Sequence, residues 1–149
     1  MQTTTLKQLE TAFIAAIHAI DPTYDHQQDQ SWHYCEAALD EGIVGKALRD
    51  FVLDMGPAVP RAYFHGTGES FEFRMGVRTS YAGVPARLLS HMIVADAVDV
   101  RSALDDLRDP TVPGLYSVVY EGMENAEIDD NDNAALDHMF TVVYNQATS

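Results

Sequence analysis

Cysteine is almost absent from this chain: Cys35 is the single one among 149 residues. One thiol leaves no internal disulfide framework, and the expected setting is a reducing compartment. Positive charge is scarce as well, with 9 Lys and Arg against 23 Asp and Glu, a net charge of −14. Duplex binding is driven by neutralising phosphates and releasing counterions, so this balance argues against direct DNA or RNA binding. Long apolar runs are missing. The longest, such as 13–17 and 92–95, fall far short of the roughly 20 residues that a membrane-spanning helix needs. The opening Met1-Gln2-Thr3-Thr4-Thr5 has neither the basic nor the apolar region of a signal peptide. No internal repeat and no interdomain linker interrupts the chain, so one domain over 1–149 is expected, large enough for a real core.

What the sequence does have is a strand followed by a helix over 70–107. Phe71, Phe73, Met75, Val77, Thr79 and Tyr81 fall on one side of a period-2 alternation, and Glu72, Arg74, Gly76, Arg78 and Ser80 on the other. Successive side chains of a strand point to opposite faces, so this pattern predicts a half-buried antiparallel strand. Ala82-Gly83 breaks it, and Pro85 suits the first turn of a helix. Leu89, Ile93, Ala97, Val100, Leu104 and Leu107 then step by three or four, an apolar stripe to lie on the sheet.

The remaining segments supply cover and edges. Thr4 or Thr5 can cap a first helix with Leu6, Leu9, Phe13, Ile17 and Ile20 on one face, stopped by Asp21-Pro22. Residues 23–31 are polar, an exposed loop; 32–37 form a short strand, with a helical turn from Glu36 as the alternative. Residues 49–55 alternate as a strand, and two prolines confine 56–60 to a loop or sheet edge. A brief pairing over 61–64 and a turn over 65–69 lead into the central strand, and 115–120 and 139–144 are further strands. Between these last two, 121–138 is acidic and is expected to be a flexible excursion with one helical turn at 134–136. Met139 to Tyr144 is apolar on both faces, as suits a central strand or one buried against another subunit. The whole predicts an α+β fold: a mostly antiparallel sheet with an N-terminal helix and a long central helix packed on one face.

Charge is unevenly spread. Glu121, Glu124, Glu127, Asp129, Asp130, Asp132 and Asp137 follow one another without a basic residue, whereas Arg61, Arg74, Arg78 and Arg87 cluster around the central strand. Such a split suits self-association through unlike patches; a solvated acidic loop is the alternative. Candidate chemistry is thin. Asp129, Asn131 and Asn133 have the alternating oxygens of a calcium loop, but Ala134 and Phe140 stand where that motif needs Gly and Glu. His26, His33 and Cys35 lack the paired spacing of a zinc site. His91, Asp96 and Asp99 suggest an acid–base group, yet their spacing suits a helix surface better. Gly66-x-Gly68 precedes a strand and not a helix N-terminus, so a hairpin turn accounts for it better than a phosphate loop. No G-x-S-x-G elbow occurs. No catalytic, metal or cofactor residue is therefore assigned, and an enzyme is not expected.

The order of elements resembles that of the tail terminator (tail-completion, neck) proteins of tailed bacteriophages. The matching features are the amphipathic helix over 6–20, the strand over 71–81, the helix ending at Leu107, the stretch 114–122, an acidic insert, and a last strand of the form Phe140-x-Val142-x-Tyr144. The resemblance spans most of the chain and is one of pattern; 27–46 has no counterpart in it. It implies a structural virion protein whose copies form a ring, usually a hexamer. The ring caps the tail tube, ends tube polymerisation and meets the head connector, after assembly in the host cytoplasm and without catalysis or cofactor. Its implied partners are further copies of itself, tail tube protein and connector proteins, with DNA passing through the lumen unbound. The interface expected on this basis comprises Arg74, Arg78, Glu121, Glu124, Glu127, Asp129, Asp130 and Asp132, with 121–137 lining the channel or an axial contact. A head-completion connector is a close rival. An acidic inhibitor or DNA mimic would instead spread its acids over a rigid face, and a small ligand-binding domain would need converging polar groups.

Overall fold

A computed structural model describes residues 3–23, 32–34, 49–61, 69–128 and 133–146. Among them are two helices, α1 (Leu6–His18) and α2 (Ala86–Asp105), and six strands. These are β1 (His33–Tyr34), β2 (Arg49–Met55), β3 (Val59–Pro60), β4 (Glu69–Tyr81), β5 (Leu115–Ile128) and β6 (Ala134–Gln146). They build one sheet in the order β1-β2-β4-β6-β5, with β3 pairing β4 on the side of β2. Every pairing is antiparallel except β1 with β2. This is the α+β fold that the sequence predicts.

β4 and β6 pair without interruption from Glu69 opposite Gln146 to Tyr81 opposite Ala134. Alternation then assigns the faces. Phe73, Met75 and Val77 of β4 and Phe140, Val142 and Tyr144 of β6 share one side with Phe51 and Leu53 of β2. Leu9, Phe13 and Ile17 of α1 and Val100 and Leu104 of α2 close over them in one buried cluster, so both helices cover the same face. Each such side chain contributes about 1.5–3 kcal/mol on burial. β4 is more than half-buried: from Met75 to Tyr81 both faces are withdrawn from solvent. β6, apolar on both sides, lies between β4 and β5, the central placement its composition suggested.

Local chemistry sets the ends of the helices. Thr5 caps α1: its hydroxyl accepts from the Gln8 amide while the Gln8 side chain accepts from the Thr5 amide, satisfying two donors at once. Pro85 stands just before α2 and not inside its first turn, with φ −56° and ψ 139°, and its carbonyl takes the Leu88 and Leu89 amides. The N-terminal segment is tied to the sheet: the Thr4 amide bonds the Asn145 carbonyl, and the Asn145 amide bonds the Gly114 carbonyl. Gly114 is needed there. Its φ is +90°, and a Cβ would lie 2.7 Å from the Thr3 backbone.

Two expectations are corrected. Over 121–128 and 133–138 the chain is neither a flexible excursion nor helical at 134–136; β5 continues to Ile128 and β6 begins at Ala134. Asp96 is not a surface residue. It lies on the buried stripe of α2 between Met92 and Val100, and its Oδ2 accepts from Arg49 Nε at 2.8 Å, both side chains fully buried. The Trp32 ring lies 5.9 Å from the same guanidinium. Burial raises the Asp96 carboxyl above the usual carboxylate range against the lowering pull of Arg49. Burial first, and then the Asp96 charge, raise the Tyr81 phenol beside it. Asp99 and His91 do lie at the surface of α2, where Asp99 accepts from the Thr23 amide at 2.9 Å and the Thr23 hydroxyl at 2.7 Å, holding the segment after α1 to α2. The expectations placed on His26, Cys35, a turn at 36–39, a pairing over 62–64, Gly66 and Gly68 lie outside the described residues.

The buried pair yields a prediction. Asp96→Ala removes the carboxylate from a desolvated guanidinium and is expected to cost about 3–5 kcal/mol, measured as the change in urea-unfolding free energy. An unchanged midpoint would show that the pair carries no weight in holding α2 to β2.

Candidate functional site: a charged sheet face and an open edge

The face of the sheet away from the helices carries Arg74 and Arg78 of β4. Directly beside them on β6 are Thr141 and Asp137, and beyond those lies β5. Strands lie about 4.8 Å apart, so a side chain on β4 must span two spacings to reach β5. Arginine is long enough. Arg74 Nη2 lies 3.3 Å from Glu124 and its Nε 3.9 Å from Glu121, while Arg78 Nη2 lies 3.0 Å from Glu127 and its Nη1 3.3 Å from Asp137. Asn125 Nδ2 donates to the other Asp137 oxygen at 2.8 Å, and the Thr141 hydroxyl donates to Glu121.

Glu121, Glu124 and Glu127 are spaced by three, which in a regular strand would send them alternately to opposite faces. Two register shifts against β6 prevent this, one between Tyr120 and Gly122 and one between Glu124 and Glu127. Each inserts residues into β5 alone, and positive φ at Gly122 (+117°) and Asn125 (+54°) accommodates the bend. The bulges thereby bring the three glutamates to the two arginines.

The interface residues expected from the sequence are thus partly assembled. Arg74, Arg78, Glu121, Glu124 and Glu127 come together, but as partners within one chain; Asp129, Asp130 and Asp132 lie outside the described residues. The complementarity that suggested contact between copies is met largely inside the protomer. Two arginines face four carboxylates, so negative charge is left over along β5.

Behind the same hairpin, facing the helices, His138 is fully buried. Its Nδ1 lies 3.2 Å from the Tyr120 hydroxyl, its Nε2 has no hydrogen-bond partner, and Arg101 of α2 sits 5.8 Å above the Tyr120 ring. Burial lowers the imidazole pKa from 6.5 to about 4, against a smaller upward pull from Asp137. Burial raises the Tyr120 phenol, opposed by Arg101.

Two further features are at the surface. Among the described residues no strand lies beyond β5, so its outer edge is open. Beside that edge runs a groove of about 480 Å³ between α2 and β5, lined by Val98, Arg101, Ser102, Asp105, Val118, Val119 and Tyr120. Among the described residues no group of three or more His, Cys, Asp or Glu is placed to hold a metal ion. Nor, among the described residues, is any helix long and apolar enough to cross a membrane. The chain matches no protein-family model and no curated protein.

Sequence reasoning missed Arg49–Asp96, His138 and the β5 edge. For the first two the signal was present: Asp96 shares the stripe of Leu89 and Val100, and His138 shares the parity of Leu136, Phe140 and Val142.

Two predictions concern this region. Arg78→Ala, which strands Asp137 and Glu127 beside a mostly buried position, is expected to lower stability by about 1.5–3 kcal/mol in urea unfolding. Glu124→Gln, in a half-exposed pair, should cost less than about 0.5 kcal/mol, and equal losses would contradict the difference in burial. For His138, the unfolded chain binds the proton more readily than the folded one between pH 6.5 and about 4. Its contribution is therefore complete above that window and is lost as pH falls through it, by up to about 3 kcal/mol. His138→Leu should make the acid-side decline of the urea midpoint shallower than in the unmutated chain; parallel declines would show that the imidazole is not held neutral.

Proposed function

We propose that this chain is a structural assembly protein whose copies associate into a ring, and that the ring is the terminator of a bacteriophage tail. In this reading it caps the tail tube, ends tube growth and offers a surface to the head connector, with the virion as its location and no catalysis. The observation that carries it is the outward display of apolar side chains on α2, with others on the neighbouring β5. Val94 and Val98 stand one turn apart on α2 at 60% and 59% exposure, and Val119, Met123 and Ile128 are exposed on β5. Exposed apolar groups set close together are covered most effectively by another polypeptide. The net charge of −14 suits a lumen through which DNA slides without being gripped. The order of elements and the final β5–β6 hairpin keep the likeness to tail terminators described above.

A second reading has one observation in its favour. Glu121, Glu124, Glu127 and Asp137 stand on paired strands, a rigid acidic face of the kind that an inhibitor of a basic protein presents. Arg74 and Arg78 interleave with those acids and dilute the face. A head-side connector remains the nearest relative of the first reading, since it shares small size and ring assembly.

The mass of the purified chain in solution, alone and with tail tubes, separates these. Light scattering and native mass spectrometry are expected to give a ring of about six copies, free or on the tubes. Val94→Lys with Val98→Lys should reduce the assembled fraction at least tenfold with an unchanged circular dichroism spectrum. A chain that stays monomeric with and without tubes would sink the ring and favour the acidic inhibitor.

A further inference from the structure

We infer that the outer edge of β5 around 117–120 docks an extended, basic segment of a different protein, added to the sheet as a further strand. Native edge strands are usually guarded by charge, proline or bulges. Here the guards stand on either side: the register shifts fall between Leu115 and Ser117 and between Tyr120 and Gly122. Ser117, Val118, Val119 and Tyr120 form the straight stretch between them, without proline or charge.

Side chains of an added strand alternate between two surroundings. On the helix side they meet the groove, where Val98 of α2, at 59% exposure, offers apolar contact beside Tyr120, whereas Val119, opposite Thr141, lies on the other face. Arg101, whose guanidinium lies over that ring, makes this side unfavourable for a second cation. On the other side they meet Glu121, Glu124 and Glu127, whose charge Arg74 and Arg78 only partly balance because Asp137 shares them. The two environments specify a segment that alternates apolar residues with Lys or Arg.

The same charges argue against two copies joined edge to edge about a twofold axis here. Two β5 edges paired about a twofold axis would bring three glutamates from each copy together with no lysine or arginine on either strand. Like charges facing each other across a ladder are destabilising. The inference rests on the edge of β5 and its charges; it shares Val98 with the proposed ring contact but does not require a ring, so a chain that forms no ring leaves it standing.

The test is selection of a random dodecapeptide library on the full-length chain. Enriched peptides are expected to alternate apolar with basic residues, to perturb the backbone amides of 117–120 in NMR titration, and to lose affinity when alternate amides are N-methylated. Val119→Arg, at an exposed position, and Glu124→Lys, in a half-exposed pair, should each weaken a selected peptide at least tenfold while the circular dichroism spectrum is retained. Absence of enrichment, enrichment without basic alternation, or peptides indifferent to both substitutions would overturn the proposal. Concentration-dependent dimerisation abolished by Val119→Arg would overturn it as well, by giving the edge to a second copy.

Discussion

The unbroken pairing of β4 with β6 is the constraint on which the rest of the structure depends. Because strand side chains alternate, fixing Met75 opposite Phe140 fixes every other residue of both strands to a face. A slip of one position would carry Phe73, Val77 and Tyr144 away from the helices and Arg74 and Arg78 into them. Burial of the apolar set thus holds in place a charged set that contributes little to stability by itself. The helices depend on the same register. α1 and α2 have no core of their own and pack on a surface that exists only when β2, β4 and β6 are aligned.

Charge is handled in two different ways on the two faces. On the helix face a single guanidinium, Arg49, is fully buried against Asp96, where desolvation works against the attraction and gives geometric definition more than net stability. On the open face Arg74 and Arg78 remain partly hydrated and bridge three strands, spending the acidic excess of β5 on local pairs. Without those two arginines, β5 would present a row of like charges along an edge strand. The surplus that remains gives this edge its selectivity.

Much of this was legible in the sequence wherever spacing matched an ideal period. Residues 71–81 alternate cleanly, 49–55 likewise, and both helices show their stripes, so the α+β fold followed from them. The 121–128 stretch did not, because bulges break the period that marks a strand: Glu121, Glu124 and Glu127 share a face only after the chain has bent twice at Gly122 and Asn125. Asp96 was misplaced for a different reason. A carboxylate on an apolar stripe looks like an interruption unless its counter-ion is known, and Arg49 lies on a strand distant in sequence. The exposure of Val94, Val98 and Val119 has no sequence signature, since buried and exposed valines are written alike.

The N-terminal bridge has a mechanical consequence. Thr4 pairs in parallel with Gln146, and the bonds joining Thr4, Asn145 and Gly114 lie at one end of the sheet. Tension applied at Thr4 and Gln146 would load this small junction and bypass the core. The first event would be the peeling of α1 from its corner, with the β4–β6 ladder still intact behind it.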